Sequence, residues 1–573
     1  MAQGVAVHRW GRFEVSLELP LGGGVDALRD VQVVAELTAP SGRRRHVPGF
    51  WDGDNTYRVR FAPDELGVWR YSAGTHPGPG AGATGLATYG EAPSGNASTA
   101  PVAGAAWEAR TSVSGTFECV SYEGDNPLYR HGRPRMAPNR RHLVHADGTP
   151  LFWLADTVWN GPMLATPEEW EHFVRTRVAQ GFTAAQYVST QYRTVPDGGP
   201  DGPPYTGDGH IEAVRPSFFR RLDARLETLA EAGLIGVPVL LWAISGGENN
   251  FANPGHVLSE ADCILLARYQ VALWHAHPVV WILNGDGRYT GEHAPRWQRI
   301  GRAVFASIDP NEADPSEAET SDDRVPVAVH PGGRQWVGEE FGAEPWLDIL
   351  GYQSGHGGDE ASWRWLAEGD PARRWPEVPR QAVINLEPCY EYHNRTARGT
   401  EGRFTAQDVR RALYWSLLIT PTAGVTYGGH GIWGWDDGSG PPVAHPYTGT
   451  PLHWRQALEM PGAQQVRHVH DAFSALPWWT LQPDRSLLRQ PPEATDDILA
   501  FVPAARSEDG RLAVLYLPRG GAVTLDTSSL APGRQATWIN PRDGTRVAGP
   551  ALGAGSIRLD APDGDDWLLV LQG

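Results

Sequence analysis

A chain of 573 residues exceeds what one hydrophobic core organises, so roughly two to four domains are expected, and 41% hydrophobic with 20% charged residues excludes a disordered chain. A formal net charge of −18 without a separate Lys/Arg cluster disfavours nucleic acid as a partner, and no apolar run is long enough to cross a bilayer. A neutral ligand fits better, and 24 tryptophans with 17 tyrosines supply flat apolar faces of the kind that stack on sugar rings.

The first residues, MAQGVAVHRWGRFEVSLEL, show no basic segment followed by an apolar stretch and a cleavage site. The expectation is a cytoplasmic protein; a secreted setting follows instead if the sequence is a piece of a longer chain. Residues 1–105 read as an N-terminal β-sandwich, because FEVSLEL, VQVVAELTAP and TYRVRFAPDELGVWRYSAG show alternation or β-branched and aromatic enrichment between turn residues. From His76 to Ala105 Gly, Pro, Ala and Ser dominate without a period, which predicts loops and a connection.

Residues 106–478 read as a lead-in segment and a (β/α)8 TIM barrel. Eight short apolar runs, LFWLADTVW, FTAAQYVST, IGVPVLLWA, VVWILNGD, VPVAVHPGG, DILGYQSGH, AVINLEPCYE and AGVTYGGHGIW, are separated by helical stretches such as TPEEWEHFVRTRVAQ, PSFFRRLDARLETLAEAG and TAQDVRRALYWSLLIT. Thr166-Pro167-Glu168-Glu169 offers an N-cap, a proline at the first helical position and acids at the positive end of the dipole. No glycine-rich dinucleotide fingerprint follows the first run, which weakens a doubly wound sheet. Residues 479–573 return to strands, among them DDILAFVPAA, RLAVLYLPRG, RQATWINPRDG and DWLLVLQG, and predict a C-terminal antiparallel β-sandwich domain.

In such barrels the chemistry stands at the C-terminal ends of the strands, so the polar residue closing each apolar run is the one to weigh. Asp286 after VVWILNG and Glu387 after AVINL each follow directly on an apolar strand, and carboxyl groups on strands four and seven can flank a glycosidic bond as proton donor and nucleophile. Asp156, Trp159, Gln191, Trp242, Asn284, His330, Gln353, Tyr427, His430 and Trp433 are candidate substrate contacts; the bland alternatives are a turn cap for Asp156 and closure of the barrel end for Trp433 and Trp435. His330 and His356 are more often structural than metal ligands, and no His/Asp/Glu set stands at ligand spacing, so no metal and no cofactor are expected. Cys119, Cys263 and Cys389 lie too far apart for a metal or disulfide framework, which favours a reducing compartment.

With these residues in view the chain resembles the apiosidase-like glycoside hydrolases, glycoside hydrolase family 140. The segments FWLADTVWN, PVVWILNGD, NLEPCYEYH and YWSLLITPTAGVTYGGHGIW look like the family's first, fourth, seventh and eighth βα units, with GFWDGDNTYRVRFAPDELGVWRY and WINPRDGT as counterparts in its flanking domains. The resemblance implies Asp286 as acid/base and Glu387 as nucleophile in a retaining, exo-acting furanosidase on plant-derived oligosaccharides or glycosides. The family shows two glycines before its Asp where this chain has Asn284 and Gly285, which bears on the sugar more than on the chemistry. A non-catalytic carbohydrate-binding protein, and a transglycosidase or hydrolase of another pentoside, are the alternatives; the glycone and the oligomeric state stay open.

Overall fold

The computed structural model describes residues 5–22, 24–76, 112–305, 324–396, 401–490 and 497–573. The eight apolar runs become β1 (Trp153–Thr157), β2 (Ala184–Val188), β3 (Ile235–Trp242), β4 (Trp281–Gly285), β5 (Val327–Val329), β6 (Ile349–Gln353), β7 (Ala382–Glu387) and β8 (Gly424–Gly428). Each pairs parallel to the next and β8 returns to β1, which closes the barrel of the (β/α)8 fold expected from sequence. Every residue of these eight strands is buried, the condition under which a strand reads as a continuous apolar run rather than an alternation.

Helices on the outside of the barrel begin where the local chemistry allows. At Pro167–Ala179 the Thr166 hydroxyl accepts from the Glu169 backbone N–H at 3.3 Å while the Glu169 carboxylate accepts from the Thr166 N–H at 3.1 Å, a reciprocal capping box. The helix Ala406–Leu418 starts the same way at Thr405 and Asp408.

The N-terminal strands form one seven-stranded sheet that rolls over on itself: Phe13, on the edge strand Phe13–Glu18, stacks on Phe117 near the opposite edge with ring centroids 3.9 Å apart. The expected sandwich is thus a single sheet folded around its own core. Ser112–Val120, which the sequence reading put in the barrel's lead-in, pairs antiparallel with Gly67–His76 and parallel with Val5–His8. The Gly/Pro/Ala/Ser-rich connection and the boundary at 105 lie outside the described residues, apart from His76, the last residue of its strand. In the C-terminal domain a six-stranded and a three-stranded antiparallel sheet enclose a separate core, and the run DDILAF forms a short 3-10 turn, Ile498–Ala500, rather than strand.

Buried charges join the three parts. Arg60 of the N-terminal sheet donates to Asp223 of the helix Pro216–Glu231 at 2.8 Å, with His277 on the same carboxylate oxygen at 2.8 Å. Arg410 of the barrel donates two hydrogen bonds of 2.8 Å to Asp566 of the C-terminal domain, whose carboxylate also accepts from Tyr516 at 2.8 Å.

Two sequence-predicted substrate residues are used by the barrel wall. Asp156 accepts from Arg177 Nε at 2.7 Å, and both side chains are 0% exposed between β1 and the helix Pro167–Ala179. Tyr427 lies beside the same guanidinium, 5.7 Å from its ring, and its hydroxyl donates to Glu391 at 2.7 Å. Alternation along β1 and β8 turns these two residues outward, while Thr157 and Thr426 of the same strands bond partners among the barrel residues. Replacing Asp156 by Ala strands a buried guanidinium, so the barrel transition in thermal or guanidinium unfolding is expected to lose about 3–5 kcal/mol. An Asp156→Ala protein with wild-type stability and impaired substrate binding would restore the substrate-contact reading.

Candidate active site

The backbone before Glu387 is fixed from both sides of its strand. Asn385 donates to Ser354 at 2.9 Å and to Ser416 at 3.0 Å, tying β7 to β6 and to the helix Ala406–Leu418. Across the barrel interior, Gln186 of β2 donates to the carbonyl of Leu386 at 2.8 Å. A register shift opposite Tyr352 and Gln353 puts an extra residue into β7 at this point, and such a bulge re-aims the side chain that follows. The result is a carboxylate held by two imidazoles: His356 Nε2 lies 2.8 Å from one Glu387 oxygen and His330 Nε2 3.4 Å from the other.

Asp286 stands one residue past β4. Its turn is pinned by Tyr289, whose hydroxyl donates to the Gly285 carbonyl at 2.6 Å, and by Gly332 and Gln335, which both donate to the Gly287 carbonyl at 3.0 Å. Gly285 has to be glycine here: a Cβ would meet the ring of Trp242 at 2.3 Å. A Cβ on Gly332 would lie 3.2 Å from the Asp286 carboxylate, so the loop after β5 packs close against it without a side chain of its own.

These surroundings separate the two acids. Burial pushes the Glu387 carboxyl up, but the hydrogen bonds and positive charge of His330 and His356 outweigh it and hold the group well below the usual carboxylate range. Asp286 is raised, first by burial and then by the negative charge of Glu387, with Arg193, His330 and His356 only partly opposing. Two carboxyls displaced in opposite directions, one toward the ionised and one toward the protonated form, are the pairing that acid/base-assisted nucleophilic displacement at a sugar carbon uses.

Around this pair the structure gathers most of the other sequence-predicted residues. Trp159, Trp242 and His330 form an aromatic floor, with Trp159 5.3 Å from Trp242 and 5.5 Å from His330 between ring centroids. The Trp242 indole N–H, the Gln191 side-chain oxygen and both polar side-chain atoms of Asn284 are buried without a protein partner, a set of free donors and acceptors at strand ends. Gln353 pairs in register with Glu387 and faces Gly333, where a Cβ would come within 2.9 Å of its amide oxygen. His430 serves the wall rather than the cleft. Burial pushes it down to about 4; its Nε2 donates to Gly449 at 2.9 Å and its Nδ1 accepts from Trp433 at 3.1 Å. Trp433 faces His445 across 5.2 Å, whereas Trp435 stacks on Trp454 at 4.3 Å away from the cleft.

Sequence reasoning passed over His356 as structural and did not single out Tyr390, Arg193 or Tyr447. Tyr390, three residues past Glu387, is kept protonated first by burial and then by the Glu387 charge; its ring takes the space that a Cβ at Gly428 would need, 2.0 Å away. Its signal was present in the string NLEPCYEYH. Among the described residues no group of three or more His, Cys, Asp or Glu side chains is placed to hold a metal ion, and no helix is long and apolar enough to cross a membrane.

A family model described as "Apiosidase-like, catalytic domain" matches residues 137–480, one for a domain of unknown function designated DUF5060 matches residues 6–76, and one described as "Putative collagen-binding domain of a collagenase" matches residues 482–572. No curated protein matches the chain. Among solved structures, a glycoside hydrolase is 22% identical and covers 78% of this chain and 98% of its own with a TM-score of 0.65. A glycoside hydrolase family 5 protein from Bacteroides vulgatus ATCC 8482 is 20% identical, covering 78% of this chain and 95% of its own, also with a TM-score of 0.65. At these identities the likeness is one of fold.

Removing the 2.8 Å imidazole tests the electrostatics directly. His356→Ala takes away a group that lowers Glu387, so the acid limb of the kcat/KM pH profile is expected to move to higher pH, by about one unit, with a loss of ~10-fold or more at the optimum. An unmoved acid limb would separate His356 from the ionisation of Glu387.

Proposed function

The chain belongs to the apiosidase-like glycoside hydrolases, and from that premise we propose a retaining, exo-acting furanosidase on plant-derived oligosaccharides or glycosides, with Glu387 as nucleophile and Asp286 as acid/base. That the protein is an O-glycosidase follows from the family. The observation that supports the two assigned roles is the opposite displacement of two carboxyls at the ends of β4 and β7, Glu387 downward and Asp286 upward.

In this mechanism Asp286 gives its proton to the glycosidic oxygen as the bond to the leaving group breaks, while Glu387 attacks the anomeric carbon and forms a glycosyl ester. His330 and His356, 3.4 and 2.8 Å from its two oxygens, favour the ionised form of Glu387 in which it can act as nucleophile. Asp286, now a carboxylate, then takes a proton from water as that water opens the ester, and both groups return to their starting states. The unpartnered Asn284 amide beside Asp286 supplies a hydrogen-bonding site for a sugar hydroxyl. The furanoside and exo parts of the proposal rest on the family resemblance; a transglycosidase or another pentosidase would use the same pair of acids.

A panel of aryl furanosides and pyranosides that includes the apioside and both arabinofuranosides tests the reading. The apioside is expected to be cleaved, with the anomeric configuration retained in the first product seen by proton NMR. Glu387→Ala is expected to lose ~1,000-fold or more in kcat with its melting transition intact. Asp286→Ala is expected to lose ~100-fold or more on poor leaving groups and far less on dinitrophenyl glycosides, which need no proton. Inversion, or equal losses on both leaving-group classes, would reject the assigned roles; no cleavage together with tight glycan binding would favour a binding protein.

A further inference from the structure

His356 meets one oxygen of Glu387 through Nε2, yet its other nitrogen, Nδ1, is buried without a protein partner. The orientation of an imidazole is usually fixed by the hydrogen bond that its second nitrogen makes. Here that task falls to ring contacts. The Tyr390 ring lies 4.4 Å from that of His356 at an interplanar angle of 55°, and the His393 ring stacks on it at 4.5 Å and 24°.

His393 is 2% exposed and is itself held in place. Its Nδ1 lies 2.6 Å from the Asn394 carbonyl, so that nitrogen carries a proton and donates it. Asn394 donates in turn through its backbone N–H to the Thr448 carbonyl at 3.1 Å, which ties the stack to the loop after β8. The chain reaches this position through a left-handed turn: Tyr392 has a φ of 67°, and its ring lies 3.8 Å from the Arg403 guanidinium. A bulky residue adopts that conformation only where its surroundings enforce it.

The row continues to His430, 5.1 Å from His393, whose two nitrogens are used as a neutral imidazole uses them, one donating to Gly449 and the other accepting from Trp433. The groups facing His393 are His356 after β6, His430 after β8, and Tyr390 and Glu387 from β7 and its own loop. Burial holds His393 well below the usual imidazole range, the charges of His356 and His430 add to that, and the Asn394 carbonyl and Glu387 only partly oppose it. The positive charge of Arg403 acts on His430 at one end of the row, and the carboxylate of Glu387 stands at the other. A proton taken up by the row is therefore most stable on His356.

We propose that His393 is a positioning residue for Glu387: by stacking on His356 while staying uncharged itself, it keeps the Nε2–H edge of that imidazole on the carboxylate. The inference rests on the reading of Glu387 as nucleophile and extends it to a residue that acts only through His356.

Two variants separate this role from packing alone. His393→Ala removes the ring, so the acid limb of the kcat/KM profile, which reports the ionisation of Glu387 in the free enzyme, is expected to move to higher pH by about half a unit to one unit, with a loss of ~5- to 10-fold at the optimum. His393→Phe keeps an uncharged ring in the stack and is expected to return the limb to its wild-type position. A limb unmoved in His393→Ala, or moved equally in both variants, would overturn the proposal. Should the variants not fold, neutron diffraction from crystals of the wild-type protein near pH 6 decides instead. Deuterium on Nδ1 alone of His393, and on the Nε2 of His356 that faces Glu387, supports the stack; a doubly protonated His393, or a bare His356 Nε2, rejects it. Because diffraction needs no turnover, a protein with these protons that cleaves no glycoside would refute the glycosidase reading and leave the stack standing, whereas cleavage with an unmoved limb would do the reverse.

Discussion

Two carboxyl groups that face one cleft cannot both be ionised there without cost, and the architecture of this barrel is arranged around that constraint. Glu387 has an imidazole beside each of its oxygens, His356 in a hydrogen bond and His330 at 3.4 Å, while Asp286 is given the burial and the neighbouring negative charge without an equivalent partner. Much of the surrounding structure serves to keep the asymmetry. The Asn385 bonds, the Gln186 span across the barrel and the bulge in β7 hold Glu387 at a fixed height. The glycines at 285 and 332 let rings and loops close around Asp286 without a competing side chain.

The flanking domains contribute rigidity at the barrel's periphery and stay out of this balance. Their junctions, Arg60 with Asp223 and His277, and Arg410 with Asp566 and Tyr516, are buried ionic networks on the outer helices. Such pairs add little net stability compared with apolar packing, but each is intolerant of losing one member, which makes domain placement specific. The Asp156 and Arg177 pair applies the same logic inside the barrel wall, where β1 meets the helix that follows it.

The sequence displays the barrel clearly because parallel strands buried on both faces become unbroken apolar runs, and polar residues at their ends stand out. That same property hides which way each residue points. Asp156 and Tyr427 share the strand-end position of Asp286 and Glu387, yet alternation turns them toward the helices, and a strand apolar on both sides gives no hint of its phase. The strand Ser112–Val120 escaped for a different reason: its pattern is legible, but its partner Gly67–His76 lies beyond a long aperiodic stretch that no local rule bridges. His356, Arg193 and Tyr447 sit in loops, where a residue's neighbours are decided by the fold rather than by spacing.

Taken around the barrel, the site divides by strand. The groups that set protonation, Asp286, His330, His356, Glu387 and Tyr390, follow β4 through β7. The groups with free hydrogen-bonding atoms, aromatic faces or unpaired charge, Trp159, Gln191, Arg193, Trp242, Trp433 and Tyr447, follow β1 to β3 and β8. The division has a mechanical basis, because the clamp on Glu387 requires positions fixed by the barrel itself, whereas an aromatic wall or a single cation can be carried on a loop tip. Among the described residues on the chemical side, Asn284, next to Asp286, has both polar side-chain atoms without a protein partner. Loop changes on β1 to β3 and β8 can therefore alter which glycoside is held without disturbing the two carboxyls, while Asn284 touches both, a place where specificity and rate are coupled.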